Sequence, residues 1–317
     1  MNKKIPLVVI SGPTGTGKTS LAIELCKLLN GEVVSADSMQ IYKYMTIGTA
    51  MPTKEKMQGI PHHLVDFVLP SESYSVADFV SDARTAIDNI ISRGKLPFLV
   101  GGTGLYINSL VDNIKFSKEE DNHDLRNELL EKAKLEGNEA IWKCLNQIDP
   151  DTAKTVHPNN VYRVIRAIEV FKTTGKTMSE TQKASRLEPS PFNQVMIALN
   201  YKNREKLYER INKRVDEMLE NGLLSEVNEI VSLGFGKTAA QAIGYKEFLP
   251  YINSENPSSE LLEDCKEKLK METRHYAKRQ LTWLRKDNRY TYFYKDEMTD
   301  DEIFLSSLNL IKNSLNI

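Results

Sequence analysis

Residues 7–19 read LVVISGPTGTGKT, and this stretch decides the fold. A short apolar run leads into a G-x-x-x-x-G-K-[ST] loop, and the helical pattern SLAIELCKLL follows at residues 20–29. A loop in this setting turns backbone N–H groups inward around phosphate, its lysine adds a point charge, and its threonine can ligate Mg²⁺. We therefore expect a phosphate site with Mg²⁺ on Thr19, formed by Gly12, Pro13, Thr14, Gly15, Thr16, Gly17, Lys18 and Thr19.

Apolar runs alternate with helical patterns over the first third of the chain. Strands are predicted at residues 7–11, 32–35, 64–68 and 96–100, with a helix over 76–94. The alternation is typical of an α/β fold, here a P-loop NTPase-like parallel sheet flanked by helices, with ligands at the carboxyl ends of the strands.

The alternation of predicted strands and helices ends after residue 113. Residues 114–193 are charged and helical without convincing strands, whereas QVMIALN at 194–200 and RYTYFYK at 289–295 predict further strands. We interpret residues 1–113 and 194–317 as the catalytic core, and 114–193 as an inserted all-helical domain.

Bulk composition restricts the class of protein only loosely. The 317 residues are 40% hydrophobic and 27% charged with a net charge of −1, so any basic surface must be local. Three widely spaced cysteines without a CxxC pair argue against a disulfide framework or a zinc motif. No run approaches the roughly 18 apolar residues of a membrane span. We expect a cytoplasmic protein.

Asp37 is the carboxylate expected beside the phosphate loop. NTPases of this fold normally end another core strand with an aspartate that supports magnesium. Here the strand at 96–100 runs into Gly101-Gly102-Thr103-Gly104 with no acid, while Asp37 follows the second strand in VVSADSMQIY. Asp37 is either a general base or magnesium-water partner, or an aspartate that forms a turn or caps a helix. Residue type and position leave both readings open.

Two other motifs have structural and functional readings. GGTGLY is either a close-approach loop, in which Thr103 offers a hydroxyl to a phosphate or leaving oxygen, or a plain turn that needs glycine. In PHHLVD, His62 and His63 point to opposite faces of an extended segment, which makes them a poor metal pair and favours a structural loop.

Arginine and lysine cluster locally on predicted helices. Arg163 and Arg166 are three apart in RVIRAIEV, Arg210 and Arg214 are four apart in KNREKLYERINKRVDEM, and ETRHYAKRQLTWLRKDNR mixes basic residues with tyrosine and tryptophan. Such faces bind phosphates or nucleic acid, or are solvated faces with Glu–Arg pairs. Because three such clusters occur, solvated helix faces are a less favoured explanation for all of them together, although they are not excluded.

The ordered set of motifs resembles the bacterial tRNA dimethylallyltransferase family, also called tRNA isopentenyltransferase. The motifs are GPTGTGKT, SADSMQIY, PHHLVD, GGTGLY, RVIRAIEV, AIGYKE and KRQLTWLRKD, and they span nearly the whole chain. The resemblance implies transfer of a dimethylallyl group from dimethylallyl diphosphate to an adenine of tRNA. The acceptor is the exocyclic amine of the adenine next to the third anticodon base, in tRNAs that read codons beginning with U.

The same resemblance assigns roles to individual residues. It implies that residues 12–19 hold diphosphate rather than ATP and that Arg214 adds charge there. It also implies that Asp37 is the base and that Thr103 contacts the diphosphate's bridging oxygen or the adenine site. It implies tRNA contacts by Asp37, Ser38, Met39, Gln40, Thr103, Arg126, Arg163, Arg166, Gln241, Ala242, Ile243, Gly244, Tyr245 and Lys246. The inserted domain would bind the anticodon stem-loop.

Two other functions are considered beside this one. A small-molecule P-loop kinase would account for the first 113 residues, and an RNA-binding NTPase would use the loop to regulate binding. We expect a monomer whose partners are tRNA and dimethylallyl diphosphate.

Overall fold

The computed structural model describes residues 4–116, 123–185, 188–236 and 238–317. Contacts divide the chain into a core unit, Met1–Val111 with Pro191–Ile317, and a helical unit, Asp112–Ser190. Within the predicted insertion at 114–193, residues 117–122 and 186–187 lie outside the described ranges.

The core unit contains a parallel sheet, which confirms the predicted α/β class. Its strands run in the order β3-β2-β4-β1-β5-β6, and every pair is parallel. The strands are β1 Ile5–Ser11, β2 Gly31–Ser35, β3 His62–His63, β4 Leu96–Gly101, β5 Phe192–Asn200 and β6 Tyr290–Tyr294. Since β1 lies between β4 and β5, the chain reverses its direction of winding beside β1, where open sheets bind their ligands.

The strand predicted at residues 64–68 is wrong. The third strand is only His62–His63, because Leu64 and Asp66 adopt φ values of 60° and 55° and cannot continue an extended chain. Val68 makes a single parallel bridge with Tyr42 and is buried, so the apolar pattern there reflects burial without strand pairing.

The helices of the core unit lie between the strands, or after the last strand, along the chain. They are α1 Lys18–Leu29, α2 Lys54–Met57, α3 Val76–Ser92, α4 Gly104–Val111, α10 Arg204–Glu220, α11 Leu223–Leu233, α12 Leu249–Ile252, α13 Ser259–Leu284 and α14 Asp300–Leu315, with a 3₁₀ turn at Ala239–Gln241. A capping box formed by Ser75 and Asp78 begins α3, which confirms the helix predicted there.

Alternate residues of the strands face two separate cores. Leu7 and Val9 of β1 pack in one core with Ile87 of α3, whereas Val8 and Ile10 pack in the other with residues of α1 and α14. Because helices cover both faces, apolar residues of β1 are buried on both sides of the sheet, as is usual for a parallel sheet. Burial of each such side chain stabilises the fold by about 1.5–3 kcal/mol.

The helical unit consists of α5 His123–Glu136, α6 Asn138–Ile148, α7 Pro150–Ala153, α8 Val161–Thr174 and α9 Met178–Ser185. Its own core includes Ile141, Leu145, Ile165 and Ile168. Among the described residues of this unit no strand occurs. No described helix of either unit combines the length and apolar character needed to cross a membrane.

Candidate active site

The loop after β1 has the backbone geometry of a phosphate cradle. Gly12, Gly15 and Gly17 have φ values of 152°, 84° and 83°, which residues with a side chain rarely adopt. A Cβ on Gly12 would also lie 2.4 Å from the carbonyl oxygen of Leu199. Lys18 Nζ and Thr16 Oγ1 each donate a hydrogen bond to the Pro13 carbonyl at 2.9 Å, which folds the loop back on itself.

Cations concentrate around this loop. Burial lowers the pKa of Lys18 to about 8, nearby Arg214 lowers it as well, and Asp37 acts in the opposite direction. Burial likewise lowers the pKa of Arg214, again opposed by Asp37. A Cβ on Gly15 would lie 3.6 Å from Cγ of Arg210, so both arginines of α10 approach the crevice. An anion bound here would relieve the repulsion between Lys18 and Arg214.

Asp37 organises the segment that follows β2. Its Oδ1 accepts hydrogen bonds from the backbone N–H groups of Met39 at 2.9 Å and Gln40 at 3.4 Å. No helix starts here, so of the two structural readings Asp37 forms a turn rather than a helix cap. Its Oδ2 accepts no hydrogen bond from any described residue. The role of Asp37 as base stays a prediction.

Thr103 joins the GGTG loop to the segment containing Asp37. Its backbone N–H donates to the Ala36 carbonyl at 3.1 Å, and its Oγ1 accepts a hydrogen bond from the Ser38 N–H at 3.1 Å. A Cβ on Gly101 would lie 2.2 Å from the Ala36 carbonyl oxygen. The glycine therefore permits close approach of two backbone segments, and Thr103 fixes their relative position.

Gln280 of α13 connects the phosphate loop to the GGTG loop. Its Oε1 accepts from the Thr14 N–H at 3.0 Å, and its Nε2 donates to the Gly102 carbonyl at 3.1 Å. The side chain is buried, so both bonds are shielded from water. The predicted site residues did not include Gln280.

Tyr276 and Trp283 lie on the same face of α13. Burial raises the pKa of Tyr276, Asp37 raises it further, and hydrogen bonds to the side chains of Thr103 and Gln280 act the other way. A Cβ on Gly104 would lie 3.0 Å from Trp283 Cβ. Residues 276, 280 and 283 are spaced i, i+4 and i+7, a helical periodicity that could have indicated a face directed at the site.

Lys295 is a further cation that the predicted site lacked. It follows β6, and a Cβ on Gly17 would lie 3.8 Å from its Nζ. Burial lowers the pKa of Lys295, and Arg210 lowers it further, while the ammonium is paired with Asp300. A basic residue at the end of the strand predicted at 289–295 was the signal available in the sequence.

The predicted tRNA-contact segment at 38–40 is held by its own chain. Gln40 Oε1 accepts a hydrogen bond from Ser35 Oγ, and Gln40 Nε2 donates to the Thr49 carbonyl, both at 3.2 Å. Glu226, buried on α11, anchors the turn that follows through bonds from the N–H groups of residues 46–48. The segment is therefore fixed before any substrate binds.

The stretch from Gln241 to Lys246 is partly core. Ala242 and Tyr245 are buried, and the Tyr245 hydroxyl donates to Glu226 Oε1 at 2.6 Å. Gln241 is exposed and Lys246 is half-buried. The tRNA contacts predicted for this stretch stay a prediction.

Three predicted tRNA-binding arginines belong to the helical unit. Arg126 on α5 forms a bidentate pair with buried Glu169, with Nε–Oε1 2.8 Å and Nη2–Oε2 3.1 Å. Arg166 Nη1 lies 3.7 Å from the same carboxylate, whereas Arg163 on α8 is exposed. Glu169 thus orients two of the three cations.

The adjacent histidines form an edge strand rather than a loop, and they have separate partners. His63 Nε2 lies 2.7 Å from Glu32 Oε2, and His62 Nδ1 lies 2.8 Å from the Ile60 carbonyl. Over the described ranges, no group of three or more His, Cys, Asp or Glu side chains is arranged to hold a metal ion.

Known proteins resemble this chain over nearly its full length. Residues 40–287 match the family model described as IPP transferase. A tRNA dimethylallyltransferase of Acetivibrio thermocellus is 50% identical over 95% of this chain and 96% of its own. The one of Caldanaerobacter subterraneus is 49% identical over 92% of this chain and 93% of its own.

Solved structures show the same likeness. The crystal structure of a tRNA isopentenylpyrophosphate transferase from Bacillus halodurans is 44% identical, with a TM-score of 0.73 over 99% of this chain and 97% of its own. A eukaryotic dimethylallyltransferase acting on tRNA is 33% identical, with a TM-score of 0.79 over 96% of this chain and 77% of its own.

Proposed function

Because this chain belongs to the tRNA dimethylallyltransferase family of enzymes, we propose that it transfers a dimethylallyl group from dimethylallyl diphosphate to tRNA. The acceptor is the exocyclic amine of the adenine that follows the anticodon, in tRNAs reading codons that begin with U, and diphosphate is released. The observation that carries the proposal is the shared crevice of the phosphate loop, Arg214 and Asp37, whose charges act on one another.

The residues around the loop stabilise the departing diphosphate. An allylic C–O bond ionises readily once the charge that develops on the leaving oxygen is neutralised, and the electron pair leaves with the diphosphate. Lys18, Arg214 and the loop N–H groups are held in place before reaction by burial and hydrogen bonds. Such preorganised charges stabilise a transition state without reorganisation.

Asp37 is the proton acceptor in this proposal. As the new N–C bond forms, the adenine amine loses a proton, and Asp37 Oδ2 takes it while Oδ1 keeps the turn intact. The adenine must leave its stack to reach a buried site, so the nucleotide is flipped out of the anticodon loop. Tyr276, beside Thr103 and Gln280, borders the place where it would enter.

Mg²⁺ fits the residues present as a diphosphate-bound ion. Magnesium commonly uses one or two protein groups together with substrate phosphates and water. The Thr19 hydroxyl has no hydrogen-bond partner within the described residues, and no protein-only metal cluster competes for the ion there. When bound, Mg²⁺ would neutralise charge on the diphosphate.

A test of the metal role uses Thr19→Ala, with Thr19→Ser as its control. Thr19→Ala should raise the Mg²⁺ concentration needed for half-maximal transfer, and Thr19→Ser should not. An unchanged magnesium dependence in Thr19→Ala would remove Thr19 from the metal site.

The helical unit is proposed to bind the anticodon stem-loop through Arg126, Arg163 and Arg166. Loss of exposed Arg163 in Arg163→Ala should weaken tRNA binding most at low salt, because phosphate contacts release counterions. A salt dependence equal to that of the wild type would argue against this contact.

The proposed reaction is distinguished from its alternatives by one assay. The protein is incubated with dimethylallyl diphosphate labelled in the prenyl group, magnesium and unmodified tRNA, and ATP hydrolysis is measured in parallel. Label in tRNA is expected. Turnover of ATP without label in tRNA would instead favour a kinase or an RNA-binding NTPase.

A further inference from the structure

A cavity of about 420 Å³ lies at the carboxyl ends of β5 and β6, and the proposed reaction does not use it. Its wall includes Asn200, Tyr201, Arg204, Arg285, Tyr292 and Tyr294. The volume falls within the roughly 300–1,000 Å³ of small-molecule sites.

Two polar groups of the wall lack partners. Asn200 is 8% exposed, and its Oδ1 is buried without a hydrogen-bond partner in the described structure. The Tyr292 hydroxyl is buried and equally unpartnered. Unpaired buried polar groups are costly and need an explanation. Because this oxygen is buried, the Asn200 side chain must turn toward the cavity before a ligand can donate a hydrogen bond to it, and that bond would remove the cost.

Cations also border the cavity. Lys202 pairs with Glu297 at 2.6 Å and lies 5.4 Å from the centre of the Tyr294 ring. Arg204 and Arg285 are exposed and form no ion pair with any described residue. Asp287, the acid of the wall, is occupied by Arg289. The two guanidinium groups are therefore free to bind an anion.

Aromatic rings complete the wall. Tyr292 and Tyr294 lie 6.2 Å apart with their planes at 18°, and both rings are half-buried. Flat half-buried rings beside cations suit a base that stacks and a phosphate that pairs.

We propose that this cavity is a binding site for one nucleotide, separate from the phosphate loop. A base N–H or amine donates to Asn200 Oδ1, and an oxygen of the nucleotide accepts from the Tyr292 hydroxyl. The base stacks on the tyrosine pair, and the phosphate pairs with Arg204 and Arg285. A simple anion cannot donate a hydrogen bond to Asn200 Oδ1, and an apolar ligand would leave the two arginines unused. The nucleotide comes from one of two sources, a free mononucleotide or a nucleotide of the bound tRNA.

The first arm of the test measures free nucleotides. Wild-type protein, with inorganic diphosphate and Mg²⁺ added to fill the phosphate loop, is titrated with AMP, CMP, GMP and UMP by equilibrium dialysis. The variant Arg204→Glu/Arg285→Glu should bind at least about tenfold more weakly, given what hydrogen bonds to charged groups contribute. The control Lys286→Glu/Lys312→Glu has the same net charge, and both its positions are exposed and outside the cavity. Tyr292→Phe removes only the hydroxyl and should weaken binding to a smaller extent.

The second arm measures affinity for an unmodified anticodon stem-loop with the same variants. The site is supported, and its ligand is assigned to tRNA, if Arg204→Glu/Arg285→Glu loses tRNA affinity and the charge-matched control does not. This assignment holds whether or not the wild-type protein binds free mononucleotides. Selective loss of mononucleotide binding alone assigns it to a free nucleotide. Equal behaviour of this variant and the charge-matched control in both arms overturns the site.

Failure of the proposed reaction is recognised separately. Prenyl transfer is measured on the same preparations, so protein that binds nucleotide in the cavity without transferring a prenyl group counts against the reaction and not against the cavity.

Discussion

The Thr103 hydroxyl accepts a hydrogen bond from the backbone N–H of Ser38 at 3.1 Å, which ties the loop after β4 to the residue following Asp37. Thr103→Val removes this acceptor and leaves the Ser38 N–H unpaired. We expect kcat to fall about tenfold, the effect of losing one partly buried hydrogen bond of 1–2 kcal/mol. Thr103→Ser keeps the hydroxyl and should retain most of the wild-type rate. Equal losses in both variants would show that the methyl group matters instead.

Asp37 has a structural and a proposed chemical role, and two substitutions separate them. Asp37→Asn keeps an oxygen that can accept from the Met39 and Gln40 N–H groups but cannot take a proton. Turnover should fall roughly 10² or more while tRNA affinity stays near wild type. Asp37→Ala should show the same loss of turnover together with a loss of stability. If Asp37→Asn weakens tRNA binding as much as turnover, Asp37 is a binding residue.

Gln280 couples the phosphate loop to the GGTG loop. Gln280→Leu leaves the Thr14 N–H and Gly102 carbonyl without their partner, at a cost of about 1–3 kcal/mol for each group that stays buried. We expect a lower Tm and weaker binding of inorganic diphosphate, measured by calorimetry. Exposed Gln182 on α9 provides a control, since Gln182→Leu should leave both unchanged. Wild-type diphosphate affinity in Gln280→Leu would show that Gln280 does not order the loop.

Lys18 should make diphosphate binding sensitive to pH. Burial and Arg214 lower its pKa to about 8, so the free protein loses this charge as pH rises above 8. Bound diphosphate favours the protonated form and raises the pKa, so the Kd should increase with pH between about 8 and the pKa of the complex. The Kd is measured from pH 7 to 10 at constant excess Mg²⁺.

Lys18→Arg is the control for that titration. Its guanidinium keeps its charge throughout this range, so any remaining change of Kd reports the ligand and the metal. Parallel pH profiles for the wild type and Lys18→Arg would contradict the assignment to Lys18.

Features governed by neighbouring residues were predicted from the sequence. The phosphate loop follows from glycines that take positive φ values, and the strand ends place residues 37 and 103 at one edge of the sheet. The prediction of a strand at 64–68 was wrong because Leu64 and Asp66, which have left-handed φ values, interrupt an apolar pattern that otherwise resembles a strand. Periodicity reports burial, and it does not report φ.

Contacts between distant residues were not predicted. Gln280 and Thr14 are 266 positions apart in the sequence, and Glu226 lies 178–180 positions from the residues 46–48 that it bonds. Such partners depend on how helices pack against the sheet, which local pattern does not encode. Residues 276, 280 and 283 have the spacing of one helix face, which the sequence analysis did not use, and only the structure shows which loops that face contacts.

The central claim is that the loop holds a leaving group, so that the C–O bond of the donor breaks. It is tested most directly with dimethylallyl diphosphate carrying ¹⁸O in the oxygen that joins the prenyl carbon to phosphorus. After one round of transfer to tRNA, mass spectrometry of the products locates the label. We predict that all ¹⁸O is found in the released diphosphate and none with the prenyl group. Label retained on the prenyl carbon would mean that a phosphorus–oxygen bond breaks, and it would contradict this account.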